Sequence, residues 1–268
     1  MVISIIAILA ALLLPVLGRV KVKAQMKKAQ MEAGSIATAI HTYESDYSKF
    51  PVSSVGAVTA MSEASRLGED FTYGTKGVIC LGPHGPNALD AGFSTPAGTL
   101  YPITSPGGYQ TNNAEVMAVL LDMEYWPNPP TGPVPTINLQ HAKNPQKTKY
   151  LNATMAGNYT SPGIGQDGTY RDPWGNPYII TVDLNYDDKT RDAFYRLQAV
   201  SQSSGTAGIN GLANVHTPPT PPSGNSDYFE CNDAVMVWSV GPDKLIDPVT
   251  AKANAGANKD NILSWKPQ

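Results

Sequence analysis

The N-terminal part of the sequence is apolar at almost every position. Residues 1–17 read MVISIIAILAALLLPVL and contain one serine and no charged residue. As a helix this run would be about 25 Å long, slightly less than the ~30 Å hydrocarbon core of a membrane. A helix in a soluble domain needs only one apolar stripe, so a helix that is apolar on every side is expected to lie in lipid or in a bundle of like helices.

Further along the chain, apolar residues are confined to one face of the predicted helix. From residue 26 to residue 47, apolar side chains recur at three- and four-residue steps, as on one face of a helix. Phe50-Pro51 is expected to end this helix, because proline disfavours helical backbone at the residue before it. The whole helix would be about 70 Å long, and Pro15 is expected to kink it. The stripe residues predicted to pack on a sheet are Ile36, Ile40, Tyr43 and Tyr47.

Strand patterns occur in the C-terminal part of the chain. Runs rich in β-branched and aromatic residues predict strands over 179–183, 193–200 and 234–240. The connections between them fit antiparallel pairing better than helical crossovers. The predicted fold class is α+β: a long N-terminal helix packed on a small antiparallel sheet, with a long irregular insertion.

The insertion is rich in Gly, Pro, Ser and Thr and shows little periodicity. Within it we predict helices near 57–67 and over 113–125, a loop over 127–148 and a short element starting at Lys149. The proline-rich stretch 216–226 is predicted to be a surface loop. The predicted organisation is 1–18 as the membrane or filament-core half of the helix, 19–51 as its amphipathic half, 52–166 as the variable region and 167–268 as the sheet with a C-terminal loop.

Charge and cysteine content argue against several classes of protein. The formal net charge is −3 and the pI about 5.8, so no basic excess indicates nucleic acid as a partner. The two cysteines, Cys80 and Cys231, do not form a CxxC pair, which excludes a zinc ribbon or a thioredoxin motif. They are either two buried thiols or, in a periplasmic domain, one disulfide.

Two segments resemble the type IV pilin and pseudopilin family. VISIIAILAALLLP, followed by a basic amphipathic helix and YESDYSKFP, is similar to that family's N-terminal helix, which carries a proline partway along it. Asp172-Pro173-Trp174-Gly175-Asn176-Pro177-Tyr178 resembles the signature of the major pseudopilin of type II secretion. Strands, a Ser-x-Gly-x-Asp turn at 239–243 and an Asp-rich stretch before Trp265 follow it, as in that family. The resemblance covers roughly residues 1–51 and 167–265.

The resemblance implies a structural subunit of a pseudopilus filament in type II protein secretion. Its partners would be copies of itself, an inner-membrane secretion or pilus assembly platform and prepilin peptidase. The implied location is the inner membrane, by a single pass with a periplasmic C-terminal domain, or an extracytoplasmic filament. Two alternatives stay open: a type IV surface fibre for adhesion or DNA uptake, and a membrane-tethered periplasmic binding domain that does not polymerise.

The N-terminal flank departs from the family pattern. Members carry a leader, a cleavage glycine and an early glutamate, and Met1 falls several residues inside that consensus. Arg19, Lys21, Lys23, Lys27 and Lys28 all follow the apolar run, which by the positive-inside rule would hold the C-terminal domain in the cytoplasm. The expectation is that the natural chain starts several residues earlier with a basic leader.

The resemblance also implies calcium in the last loop. Asp243, Asp260 and Asn261, joined by Asp247, could supply the hard oxygen ligands that Ca²⁺ prefers. The alternative is a surface loop with ordinary turn-forming residues. Lys244 stands where the family often has glycine, and its ammonium would repel the ion.

The other motifs in the sequence are weaker evidence of function. Residues 163–168 match GxGxxG but follow no clear strand and open no helix, which argues against a dinucleotide site. Residues 183–187 resemble the start of an EF-hand, but Asp188 replaces the required glycine and Phe194 the bidentate glutamate. The four histidines have no ligand spacing, and no paired catalytic groups are recognisable. The chain is therefore predicted not to be an enzyme.

Overall fold

The structure is a computed structural model. For residues 2–16, 79, 81–82, 85–88 and 128 the description covers the backbone only. The described ranges are 2–53, 70–76, 78–82, 85–88, 110–128, 132–214 and 227–266.

One helix dominates the N-terminal part. Helix α1 spans Val2–Tyr47, which at 1.5 Å per residue makes it about 70 Å long. It ends at the predicted residue, where Ser48 takes the left-handed conformation with φ 51° and Pro51 follows. Ala29, Ala33, Ile36, Ile40 and Tyr43 form its fully buried face, each with 0% exposure. The regular stripe in the sequence therefore produces one docked face.

The remaining elements are short, as expected for a loop-rich domain. Helix α2 spans Ala114–Leu120 and helix α3 spans Gln198–Ser201. The strands are β1 (Phe71–Tyr73), β2 (Ile79–Gly82), β3 (Gly85–Ala88), β4 (Tyr125–Asn128), β5 (Gly132–Pro135), β6 (Gly163–Ile164), β7 (Tyr170–Arg171), β8 (Ile179–Val182), β9 (Gln202–Ser204), β10 (Ala207–Gly208), β11 (Val235–Ser239), β12 (Leu245–Ile246) and β13 (Ile262–Leu263).

The central sheet is antiparallel and has the strand order β1-β8-β11-β13. Alternate residues of its strands serve two hydrophobic clusters, because side chains point to opposite faces with a period of two. Ile180 and Val237 belong to the cluster that contains the buried face of α1. Ile179 and Trp238 belong to a second cluster. The sheet is thus covered on both faces, with α1 on one of them.

Smaller sheets surround this centre. Strand β2 pairs antiparallel with β3 and parallel with β12. Separate antiparallel hairpins form from β4 with β5, β6 with β7, and β9 with β10. The α+β class is therefore confirmed at the level of one long helix with small, mainly antiparallel sheets.

Two of the three predicted strands are confirmed, as β8 and β11, and the third is wrong. Residues 193–196 form a turn, and α3 follows. The carboxylate of Asp192 accepts hydrogen bonds from the N–H groups of Phe194 and Tyr195, both at 2.8 Å. These bonds stabilise a turn, and the apolar run is buried by that turn instead of by strand pairing.

The insertion is more ordered than predicted. The helix expected over 113–125 is shorter, because Asp122 is left-handed (φ 54°) and the chain continues into β4. The loop expected over 127–148 contains β5, and no regular element forms at Lys149–Leu151 in the described chain. Strand β1 also lies in the predicted variable region 52–166, and it pairs with β8 of the central sheet. The helix predicted near 57–67 and the proline-rich loop 216–226 lie outside the described residues.

The predicted membrane segment falls mostly on residues whose side chains are not described, and so does the kink expected at Pro15. Within the described part of the chain, no helix combines the length and the apolarity needed to cross a membrane.

Candidate functional site

The family-like motif at 172–178 folds into a closed turn around one carboxylate. Oδ1 of Asp172 accepts hydrogen bonds from the backbone N–H groups of Trp174 and Asn176 at 2.8 and 2.9 Å. Its Oδ2 accepts the side-chain amide of Asn176 at 3.0 Å. Gly175 donates to the carbonyl of Asp172, and Asp172 donates to the carbonyl of Asn176. The aspartate and asparagine of the motif are therefore turn-forming residues.

The same turn is tied to the C-terminal part of the sheet. The hydroxyl of Ser239, at the end of β11, donates to Oδ2 of Asp172, and the Asn176 amide donates to the carbonyl of Gly241 at 3.1 Å. Asp172 is fully buried. Burial raises the pKa of its carboxyl, although hydrogen bonds from Ser239 and Asn176 act in the opposite direction.

The motif also contacts helix α1. The side chain of Gln25 donates to the carbonyl of Pro173 at 3.2 Å, and the hydroxyl of Tyr178 donates to Oε2 of Glu32 at 2.6 Å. Pro177 pairs in an isolated bridge with Arg171. The motif thus joins the helix, the sheet and the turn after β11, and its geometry is that of a structural junction.

Two of the four predicted calcium ligands influence each other. Oδ1 of Asp243 accepts the N–H of Leu245 at 2.9 Å, and Oδ1 of Asp260 is buried without a hydrogen-bond partner among the described residues. Burial raises the pKa of both carboxyls, and the charge of Asp243 raises that of Asp260 further. The nearby ammonium of Lys259 opposes both shifts.

The other two predicted ligands are engaged elsewhere. Oδ1 of Asp247 accepts the N–H groups of Val249 and Thr250, and Oδ2 accepts the Thr250 hydroxyl. Burial would raise the pKa of Asp247, but these bonds outweigh it and hold the pKa below its usual value. The amide nitrogen of Asn261 donates to the hydroxyl of Tyr195 at 3.0 Å. Of the four predicted ligands, Asp243 and Asp260 are the pair whose charges interact in the described fold, and the bond from Asn261 to Tyr195 uses its amide nitrogen, not the oxygen that would bind calcium.

The chemistry of this pair fits a hard cation, but the pair is not a complete calcium site. Calcium takes six to eight oxygen ligands, and no group of three His, Cys, Asp or Glu side chains suited to a metal occurs in the described ranges. The repulsion between the two carboxylates is the kind that a bound cation removes. Backbone carbonyls or water would have to supply the other ligands.

The EF-hand-like stretch forms a loop closed on its own aspartate. Asp183 accepts the N–H groups of Tyr186, Asp187 and Asp188. Asp70 lies beside this loop and accepts the N–H of Leu184 at 3.2 Å. Burial is the largest cause of the raised pKa of Asp70, and the charge of Asp183 adds to it. No motif in the sequence marks Asp70, because it lies 114 positions before Leu184.

The GxGxxG stretch has a structural explanation. Gly163 belongs to β6, and residues 165–168 form the turn that leads to β7. A Cβ at Gly168 would lie 2.3 Å from the ring of Trp126. The glycines therefore serve a tight hairpin, and no helix opens there to receive a phosphate.

The cysteines and histidines form no site in the described residues. Cys80 and Cys231 are buried in the same hydrophobic cluster, and no disulfide joins them. Burial raises the pKa of Cys231 to about 12, and Asp233 adds to the shift. His41 contacts Asp233 at 3.0 Å and His141 contacts Asp122 at 2.7 Å. The other two histidines, at positions 84 and 216, lie outside the described residues.

The side of α1 turned away from the sheet is open. Leu17 is 61% exposed and Val20 57% exposed, before the docked face begins. Further along, Met31 is 72% exposed and lines a groove with Gly34, Ser35 and Thr38. The hydroxyls of Ser35 and Thr38 donate to carbonyls one turn earlier in the helix. The groove can therefore lose its water without leaving those hydroxyls unpaired.

No protein-family model, no curated protein and no solved structure matches this chain. The resemblance to pilin-like proteins therefore stays a prediction from the sequence.

Proposed function

We propose that this chain is a structural subunit of a helical filament and polymerises through α1. The observation that carries the proposal is a helix about 70 Å long whose fully buried face begins at Ala29. Leu17 and Val20, before that face, are exposed apolar residues. Burying them against another copy of α1 would remove apolar surface from water, at roughly 25 cal/mol per Å². Head-to-tail contacts between identical copies generate open helical fibres when the rotation between neighbours does not close a ring.

Within this class, a pseudopilus of type II protein secretion is the function we favour. The favouring feature is the motif 172–178, whose resemblance is to the major pseudopilin. A surface fibre would use the same helix, and a tethered binding domain would not polymerise. In the proposed role the chain sits in the inner membrane or in an extracytoplasmic filament. Its partners there are the assembly platform and prepilin peptidase, and it supplies surface and rigidity without catalysing a reaction.

We include calcium in the proposal, held by Asp243 and Asp260 with backbone oxygens. The support is the buried Oδ1 of Asp260 and the charge of Asp243, which adds to the burial that raises the pKa of Asp260. When bound, the ion would cancel their repulsion and fasten the turn after β11 to the segment before β13. The motif 172–178 contacts that same turn, so the ion would stiffen the face of the domain that carries the motif.

The test is made on protein isolated from its native membrane and from the sheared cell-surface fraction. Intact mass and N-terminal sequencing are expected to show a processed chain that starts before Met1 and carries a methylated N-terminus. Electron microscopy of the assembled material is expected to show thin filaments. An unprocessed chain that stays monomeric in the membrane would contradict the filament and leave the tethered domain. Deleting the gene distinguishes the two filament types: loss of secreted proteins indicates a pseudopilus, and loss of surface fibres a type IV pilus.

A further inference from the structure

A polar pocket lies beside the motif, with Gly175 and Pro177 in its lining. Its volume is about 380 Å³, and its lining includes Lys76, Asn112, Tyr159, Asp167 and Arg171. These residues come from four separate stretches of the chain, which the fold brings to one place. None of them is used by the proposed filament.

The wall of the pocket is held in place by the motif glycine. Gly175 has φ +91°, and a Cβ there would lie 2.5 Å from the carbonyl oxygen of Thr160. Glycine therefore lets the loop 158–161 approach the motif turn closely. Asn158 holds this loop, because its Oδ1 accepts the N–H groups of Thr160 and Ser161. The pocket is formed before any ligand enters, which lowers the cost of binding.

An ion pair on one side of the pocket is internally neutral. Arg171 donates to both carboxylate oxygens of Asp167, at 2.9 and 2.7 Å. The hydroxyl and the N–H of Thr169 also donate to Asp167. Burial would raise the pKa of Asp167, but these donors and the charge of Arg171 hold it below its usual value. Asp167 is therefore ionised and its acceptor oxygens are largely occupied.

Two other side chains of the lining, Lys76 and Asn112, can donate hydrogen bonds to a ligand. The exposed side chain of Lys76 makes no ion pair within the described chain, and it leaves one uncompensated positive charge in the pocket. Oδ1 of Asn112 accepts the N–H of Ala114, so its amide nitrogen is the part left for a ligand. A concave site with excess donors and one net positive charge is complementary to an oxyanion.

We propose that this pocket binds the carboxylate or phosphate group of a small organic molecule. Lys76 supplies the charge, Asn112 supplies a hydrogen bond, and the Tyr159 side chain, 39% exposed, packs against the organic part of the ligand. A sugar acid is a molecule of this kind, with a ring for Tyr159 and a carboxylate for Lys76. The proposal does not depend on the filament function.

The test is calorimetric titration of the full-length chain in a nonionic detergent with inorganic phosphate, D-glucuronate and D-glucose. Phosphate and glucuronate are expected to bind saturably, glucuronate more tightly, and glucose not to bind. Lys76→Ala should weaken glucuronate binding about tenfold, as expected for loss of a charge-assisted hydrogen bond. Lys149→Ala removes an exposed lysine outside the pocket and should leave the affinity unchanged.

Three results would overturn the proposal: no saturable binding of either anion, glucose binding as tightly as glucuronate, or unchanged affinity in Lys76→Ala. Equal affinities for phosphate and glucuronate would contradict the proposed packing of Tyr159 against the organic part of the ligand. Lys76→Arg keeps the charge and should retain most of the binding, which distinguishes loss of charge from loss of fold. Filament assembly by the same variants is a separate readout, because the proposed ligand contacts include no residue of α1.

Discussion

The hydroxyl of Tyr178 donates a 2.6 Å hydrogen bond to Oε2 of Glu32, across 146 positions of the sequence. Tyr178 is fully buried, and burial, followed by the charge of Glu32, raises the pKa of its hydroxyl well above the usual value. The tyrosine therefore stays protonated and donates at every pH at which the protein folds. The last residue of the motif thus joins α1 to the sheet.

Removing this hydroxyl should loosen the helix. Tyr178→Phe is expected to lower the free energy of unfolding by about 1–2 kcal/mol, because a hydrogen bond to a charged group is lost and Glu32 can recover part of it from water. Urea unfolding followed by circular dichroism measures this loss. Tyr125→Phe removes a hydroxyl from a side chain that is 49% exposed and should change little. Equal values for the two variants would contradict the prediction.

Docking of α1 should depend on its buried face. Ile40 is fully buried in the cluster below the helix, so Ile40→Ala is expected to cost about 2–5 kcal/mol. Met31 lies on the open side of the same helix, and Met31→Ala should stay within about 0.5 kcal/mol in the monomer. Denaturant titration in detergent compares the two. A small effect at Ile40 would show that α1 is not held by this cluster.

A calcium effect should appear in thermal unfolding. If Ca²⁺ binds Asp243 and Asp260, an excess of about a hundred times the dissociation constant stabilises the protein by about 2.7 kcal/mol. The unfolding temperature should then rise by about 5–10 °C relative to protein in EDTA. Mg²⁺ should give less, because it demands a stricter octahedral geometry. The double variant Asp243→Asn, Asp260→Asn should lose the response, and Asp188→Asn should keep it. Identical unfolding temperatures in Ca²⁺ and EDTA would remove the ion from the proposal.

Stability should fall with rising pH through the titration of Asp183. Burial is the main cause that raises the pKa of this carboxyl to about 6, above the ~3.9 of an unfolded aspartate. The folded state binds the proton more tightly, so this contribution is fully present below about pH 4 and is lost as the pH rises through about 6. The loss is up to about 3 kcal/mol.

Urea unfolding at intervals from pH 4 to pH 7 measures the slope, and the ¹³C signal of the carboxyl measures the midpoint. Asp183→Asn cannot titrate, so its stability should fall less over this range. A midpoint near 4 would contradict the prediction and show that the N–H donors of the loop outweigh burial.

Substitution of two glycines should distinguish the cost of backbone strain from the cost of a steric clash. Gly168 and Gly211 both have positive φ, +76° and +80°, but only Gly168 lies against the Trp126 ring, and an added Cβ at Gly211 meets nothing within 4 Å. Gly211→Ala should cost about 1–2 kcal/mol from backbone conformation. Gly168→Ala should cost about 1–3 kcal/mol more, because the indole must move. Urea unfolding of both variants gives the difference, and equal costs would mean that Trp126 shifts freely.

Local pattern was enough for the elements that repeat one environment over many residues. The stripe that ends at Tyr47 predicted both the extent of α1 and the face that it buries. The runs at 179–183 and 234–240 predicted the two central strands. Helix α1 repeats one buried face from Ala29 to Tyr43, and the two strands are buried at every residue, so the sequence carries each signal several times over.

Specific side-chain hydrogen bonds and one long-range strand pairing decided the rest. The run at 193–200 reads as a strand, but the carboxylate of Asp192 closes it into a turn. Strand β1 is only three residues long, and its pairing with β8 gives it its structure. Of the four predicted calcium ligands, Asp247 is drawn into hydrogen bonds with its own turn.

The sequence by itself determined the long helix, its docked face, the α+β class and the turn chemistry of residues 172–178. The tertiary structure alone decided that this turn would hold Gln25 and Glu32 of α1, that Asp243 and Asp260 would share one place, and that Lys76 and Arg171 would line one pocket. A buried helix face repeats in every turn, and a strand that is buried on both faces is marked along its whole run. A hydrogen bond or a charge pair between remote residues depends on how the chain closes, and no local pattern records that.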